Sequence, residues 1–125
     1  MNNLILDSSI IIDFLRKKDK EKTLLFLLAK GEYKLHVSII SVAELFAGKS
    51  IWQDKNAKEA LESILSGMNI IFLSADIALK SGEIKARYDI DLIDSIIAST
   101  CILSSMSLAT LNLKHFKKIK DLTIV

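Results

Sequence analysis

The chain predicts an α/β fold in which a mainly parallel sheet is covered by helices on both faces. Two observations carry that expectation. Short apolar runs without helical period alternate along the chain with longer amphipathic runs, and parallel neighbours need the crossover connections that such alternation supplies. The opening stretch, Leu4-Ile5-Leu6-Asp7-Ser8-Ser9-Ile10-Ile11-Ile12-Asp13-Phe14-Leu15, then shows the unit in miniature. An apolar strand ends on an acid, and two serines lead into an amphipathic helix.

The remaining elements follow in order. Asp19 to Ala29 reads as a helix, apolar nearly all round over Leu24 to Ala29, with Gly31 as its stop. Such a surface packs into the core or against a second subunit. Tyr33 to Ser38 alternates like a strand, and His36 within it reads as structural. Ser38 to Gly48 passes from a strand end into a helix, in which Ser41-Val42-Ala43-Glu44 fits a capping box. Asp54 to Leu65 is an amphipathic helix stopped by Gly67, and Asn69 to Leu73 is a short strand. Ser74 or Asp76 caps a helix running to about Arg87. Another helix starts near Asp91 and continues through Ala98; Leu108-Ala109-Thr110 gives a strand, and Leu122 to Val125 a further candidate.

With 125 residues, half of them hydrophobic, the chain fits one domain, 1–125, with a proper core. The single cysteine, Cys101, is embedded in the stretch Ile97 to Leu103 and reads as a buried structural thiol; one cysteine excludes an internal disulfide and suits a reducing cytoplasm. An acid interrupts the N-terminal apolar run and no basic residue precedes it, so no secretory signal is expected. Ser95 to Leu113 is rich in Ser and Thr and makes a poor membrane span. The net charge is only +2, but basic residues cluster in Arg16 to Lys22 and in Lys114 to Lys120. Each cluster alone reads as a solvated surface; together they offer phosphate contacts.

Three acids, Asp7, Glu44 and Asp94, stand where a strand or loop feeds a helix. Each taken alone is explained by helix capping or by the helix dipole. In a parallel sheet, however, these helix starts share one edge and bring three carboxylates together. Carboxylates at close range raise one another's pKa, and such a cluster calls for a cation. All-oxygen donors suit Mg²⁺ or Mn²⁺. Zinc is disfavoured, since Cys101 has no thiol partner and His36 and His115 show no ligand spacing with it.

Four blocks give a more specific signal: Leu6-Asp7-Ser8-Ser9 before an apolar helix; Ser38 to Gly48; Asp94-Ser95-Ile96-Ile97-Ala98-Ser99-Thr100; and Ala109-Thr110-Leu111-Asn112-Leu113-Lys114-His115-Phe116. In this order, across essentially the whole chain, they resemble the motif blocks of PIN-domain ribonucleases, in particular the small VapC-type toxins of toxin–antitoxin pairs. The resemblance implies a three-layer α/β/α sandwich, with Asp7, Glu44 and Asp94 as catalytic, metal-binding acids. It places Ser8, Thr110 and Asn112 beside them in substrate-binding or supporting roles. It also implies an RNA substrate, a cognate antitoxin and, with the apolar Leu24 to Ala29 helix, a homodimer. Many relatives carry a fourth acid in the last block, where this chain has Asn112 and His115. Asp91, one turn before Asp94, reads as a helix cap.

Two other functions fit the same residues. A processing nuclease on this fold shares the chemistry without an antitoxin, and a catalytically silent binding module would use the acids only as caps. A receiver domain fits less well, because Ser8 stands where a second acid is needed.

Overall fold

In the computed structural model, which describes residues 2–125, four strands form one parallel sheet between two layers of helices. Strand β1 (Asn2–Leu6) runs into helix α1 (Ser8–Arg16), followed by a single 3-10 turn (Lys20–Lys22) and α2 (Leu24–Lys30). Then come β2 (Tyr33–Ser38), α3 (Ile39–Phe46), α4 (Lys49–Gln53), α5 (Lys55–Ser66) and β3 (Asn69–Ile71). The chain ends with α6 (Ala75–Tyr88), α7 (Leu92–Ser104), β4 (Ser107–Ala109) and α8 (Leu113–Phe116).

The sheet order is β3-β2-β1-β4. Leu4, Ile5 and Leu6 in central β1 are each at most 1% exposed, which explains a continuous apolar run in place of alternation. Ile5 faces a core built with Ile84 of α6, Ile97 and Cys101 of α7, and Phe116 of α8. Leu4 and Leu6 face the opposite layer, where they meet Ile10 of α1 and Leu25 and Leu28 of α2. That layer continues through Val37, Leu45, Ile51 and Leu61 under α3, α4 and α5.

Helix α7 is almost without charge because it is almost wholly buried. The hydroxyls of Ser95, Ser99 and Thr100 donate to the carbonyls of Asp91, Ser95 and Ile96, at 2.9, 2.7 and 2.7 Å, which lets polar residues sit in the core. Among the described residues, no helix is long and apolar enough to cross a membrane.

Several boundaries differ from the sequence expectation. The helix expected over Asp19 to Ala29 is split. The buried Thr23 hydroxyl donates to Lys20 O at 2.6 Å and accepts from Phe26 N at 3.3 Å, so it closes the turn and caps α2. Strand β3 stops at Ile71 because its partner β2 ends at Ser38, leaving Phe72 and Leu73 exposed. Leu122 to Val125 forms only a parallel bridge between Ile124 and Leu108. The Ser41 to Glu44 capping box is not formed. Strand β2 runs to Ser38, whose Oγ accepts from Ile40 N at 3.1 Å and takes the cap, so Ser41 falls inside α3. Helix α6 is capped by Ser74, not Asp76.

Candidate metal centre at the carboxyl edge of the sheet

From β1 the chain builds outward through β2 to β3, then returns to place β4 on the other side of β1. Such a reversal opens a crevice beyond the strand ends, where ligands of open α/β sheets bind. Asp7 follows β1 and Thr110 follows β4, so both stand at this crevice. Asp7 N donates to Ala109 O at 3.2 Å, tying the two strand ends together.

Asp7 is 6% exposed and caps α1. Its Oδ1 accepts from Ser9 N at 3.1 Å and from Ser9 Oγ at 2.5 Å, and its Oδ2 accepts from Thr110 Oγ1 at 2.5 Å. Both hydroxyls are themselves held from behind. Ser9 Oγ accepts from Leu111 N at 3.0 Å, and Thr110 Oγ1 accepts from Asn112 N at 2.9 Å. The carboxylate therefore has one orientation. A carboxylate offers about four acceptor positions, so these three bonds leave one open, on Oδ2.

Glu44 lies on α3 and meets the Ser8 hydroxyl, which donates to its Oε1 at 3.4 Å. Loss of water around the carboxyl raises its pKa; the Ser8 bond opposes the shift, and the charges of Asp94, Asp7 and Asp91 add to it. Asp94, in the first turn of α7, is raised by burial, opposed by His115 and pushed further by Asp91 and Asp7. Nδ1 of His115 lies 3.3 Å from Asp94 Oδ2. Asp91 caps α7 as expected, accepting from Ile93 N at 3.1 Å. The three acids thus stand at one edge of the sheet, within range of one another's charge.

Among the described residues, no three His, Cys, Asp or Glu side chains are close enough to enclose an ion by themselves. The donor set nevertheless fits a hard divalent cation. Mg²⁺ typically takes one or two carboxylates, keeps several waters and leaves room for substrate phosphate, so an open half-shell of carboxylates is its ordinary environment.

Asn112 contributes its backbone N–H to Thr110, while its residue lines a shallow cleft with Ser8, Ser9, Arg16 and Lys17. Two residues at the site had no role assigned from the sequence. Ser9 stands two positions after a capping acid, where its N–H must point at that acid, so its hydroxyl is within reach too. His115 comes from α8, a single turn with no amphipathic pattern long enough to read. The basic clusters divide: Lys20 Nζ donates to the last carbonyls of α1, Phe14 O at 2.5 Å and Leu15 O at 2.9 Å, a structural use. Lys114, Lys117, Lys118 and Lys120 remain exposed on and after α8.

Comparison with known proteins shows the family and the fold. The PIN domain family model covers residues 4–122. The chain is 30% identical to Ribonuclease VapC19 of Mycobacterium tuberculosis over 123 residues, covering 94% of this chain and 95% of that protein. It also resembles the crystal structure of VapBC2 from Rickettsia felis bound to a DNA fragment from its promoter. There the TM-score is 0.80 and the identity 28%, over 98% of this chain and 97% of that one. A toxin–antitoxin complex from Klebsiella pneumoniae is similar at a TM-score of 0.74 and 29% identity, over 96% of this chain and 95% of that one. The chain belongs to the PIN-domain family and groups there with the VapC ribonucleases.

Proposed function

We propose that this protein is the toxin of a type II toxin–antitoxin pair, an endoribonuclease that hydrolyses RNA phosphodiesters with Mg²⁺ or Mn²⁺ held by Asp7, Glu44 and Asp94. The observation that supports the metal site is the placing of these acids around the β1–β4 crevice, where burial raises Glu44 and Asp94 and the charges of Asp7 and Asp91 push both further. A divalent ion held there by Asp7, Glu44 and Asp94 would supply an acidified water and would offset charge on phosphorus and the leaving oxygen.

The residues divide the remaining work. Asp7, fixed by Ser9 and Thr110, presents its open Oδ2 position as a ligand, and Asp94 is the second principal ligand. Glu44, its pKa raised chiefly by burial, orients or deprotonates the attacking water, directly or through the metal. The products carry a 5′-phosphate and a 3′-hydroxyl. Arg16 and Lys17 beside the Ser8–Asn112 cleft, together with the lysines around α8, track the RNA backbone without reading bases. Aromatic residues make up only 6% of the chain, so recognition rests on RNA shape more than on stacking.

The antitoxin reading is supported by a cleft of about 790 Å³ between α1, α4 and α5, lined by Ile12, Phe14, Leu15, Ile51 and Ile64, that reaches Glu44. An apolar antitoxin segment fits it, and a basic residue at its end would meet the acid cluster. The exposed Leu27 of α2 leaves apolar surface for a second copy, as a homodimer requires. The cytoplasm, where RNA is translated, is the matching compartment.

Purified protein incubated with total RNA in Mg²⁺ or Mn²⁺, and then in chelator, tests the activity. Co-expression with the adjacent gene product, followed by light scattering, tests the partner and the dimer. A monomer that cleaves RNA and captures no partner would point to the processing nuclease. Absence of metal-dependent cleavage, together with absence of metal affinity, would leave the silent binding module.

A further inference from the structure

We infer that Trp52 is a base-stacking subsite: its indole takes an unpaired base of the RNA, with Lys49 and Lys58 on the adjoining phosphates. The inference rests on the ribonuclease reading above and adds a contact outside the acid cluster. Trp52, the chain's only tryptophan, stands on α4 and is 64% exposed. Exposed side chains ordinarily exchange rotamers freely, whereas this one is tied down. Its Nε1 donates to Phe46 O at 2.7 Å, and the Phe46 ring lies 6.1 Å away, tilted by 48°. The bond satisfies a carbonyl at the end of α3. Capping alone does not call for an indole, whose apolar face is left in water at a cost.

Its position relates it to the acids. Phe46 and Glu44 share the last turn of α3, so Trp52 Nε1 lies within about 10 Å of the Glu44 backbone. The preceding residue, Ile51, lines with Gly48 and Ser50 the cleft that reaches Glu44. A strand held at the acid crevice therefore passes α4 close to its scissile bond.

Charge decides the occupant. Lys58 Nζ sits 5.2 Å from the centroid of the indole, and Lys49 lies one turn before Trp52 in α4. Among the described residues neither lysine is ion-paired. The acids beside them in the chain are engaged: Asp54 caps α5 through Asn56 N and Ala57 N, at 2.9 and 3.3 Å, and Glu59 pairs with Lys55. An open aromatic face flanked by unpaired cations suits single-stranded nucleic acid, with the base on the ring and phosphates on the ammonium groups. A second copy docked on this face by two-fold symmetry would set Lys49 and Lys58 against their own counterparts, which opposes it. An exposed lysine gains little from its aromatic contact, so Lys58 loses little in turning to a phosphate.

Trp52 is its own reporter. Intrinsic fluorescence of the full chain is recorded in chelator, so that RNA is not cut, against a short single-stranded oligoadenylate. Binding is followed in parallel by the anisotropy of the same strand carrying a dye. Expected is quenching that saturates with the binding curve. Trp52→Ala should weaken binding, and raise KM for RNA cleavage in Mg²⁺, by about tenfold with kcat changed less than about twofold. Trp52→Phe, which can stack but cannot donate to Phe46 O, should recover most of that loss, and Lys58→Gln should lower the slope of log affinity against log salt by about 0.7. A strand that does not bind, or binds without quenching, or a Trp52→Phe protein as weak as Trp52→Ala, overturns the inference and leaves the ribonuclease reading standing. So does fluorescence that follows protein concentration and not RNA, which assigns the face to a second copy. Absence of cleavage of total RNA in Mg²⁺ or Mn²⁺ overturns both. Should Trp52→Ala fail to fold, wild-type quenching and Trp52→Phe decide.

Discussion

Replacing Thr110 by Val keeps the shape of the side chain and removes the hydroxyl that joins Asp7 Oδ2 to Asn112 N. Thr110 is 9% exposed, so water replaces that hydroxyl poorly. A hydrogen bond to a charged group is worth about 1.5–3 kcal/mol, and an N–H left without its acceptor adds to the loss. About 2 kcal/mol of destabilisation at pH 7 is expected. With an unfolding entropy of about 2.1 cal/mol/K per residue over 125 residues, Tm should drop by roughly 8 °C. Thr110→Ser, which retains the hydroxyl, should recover most of it. The assay is thermal unfolding by circular dichroism of both variants, alone and combined with Asp7→Asn. If the bond is with Asp7, the cost of Thr110→Val shrinks by about 1 kcal/mol or more in the Asp7→Asn background. A Thr110→Val protein melting within about 2 °C of wild type, or costs that simply add, would refute the argument that this hydroxyl orients the carboxylate.

Asp7→Asn should remain folded, since an amide oxygen still caps α1, while RNA cleavage falls at least about a hundredfold because a neutral amide binds a hard cation poorly. Quantified cleavage alongside melting separates the two effects. Glu44→Gln should raise Tm at pH 7 while abolishing cleavage; the folded state holds the Glu44 pKa up, so ionising that group opposes folding and neutralising it relieves the opposition. Mg²⁺ at about a hundred times its Kd should stabilise wild type by about 2.7 kcal/mol and leave Asp7→Asn nearly unmoved, read as a melting shift. His36 is lowered by burial and by Lys34, so the folded protein keeps it neutral. Its contribution is complete above the unfolded value of 6.5 and is lost as pH falls below it, and His36→Gln should flatten that part of the stability–pH curve.

The fold was legible where burial and period agree. Leu4-Ile5-Leu6 reads as a strand because both faces of β1 are covered, and Ser74 and Asp91 read as caps because their side chains accept from the first N–H groups of α6 and α7. Ser41 misled because its spacing to Glu44 is that of a cap, while the strand that ends at Ser38 decides which residue becomes one. Helix α4 and helix α8 carry too few residues for a period to show. At the site, the expectation that each acid stands where a strand or loop feeds a helix is met by Asp7 after β1 and by Asp94 in the first turn of α7, whereas Glu44 lies in the last turn of α3. The hydroxyl of Ser9 on Asp7 and the imidazole of His115 on Asp94 depend on how β1, β4 and α7 meet in space, which no local pattern encodes.

RNA cleavage by wild-type and Asp94→Asn protein, in Mg²⁺ and in chelator, tests the metal-site assignment most directly. The expected result is cleavage to 5′-phosphate and 3′-hydroxyl ends by wild type in Mg²⁺ only, with Asp94→Asn folded and inactive. Equal cleavage by wild type in chelator, or by Asp94→Asn in Mg²⁺, would contradict it.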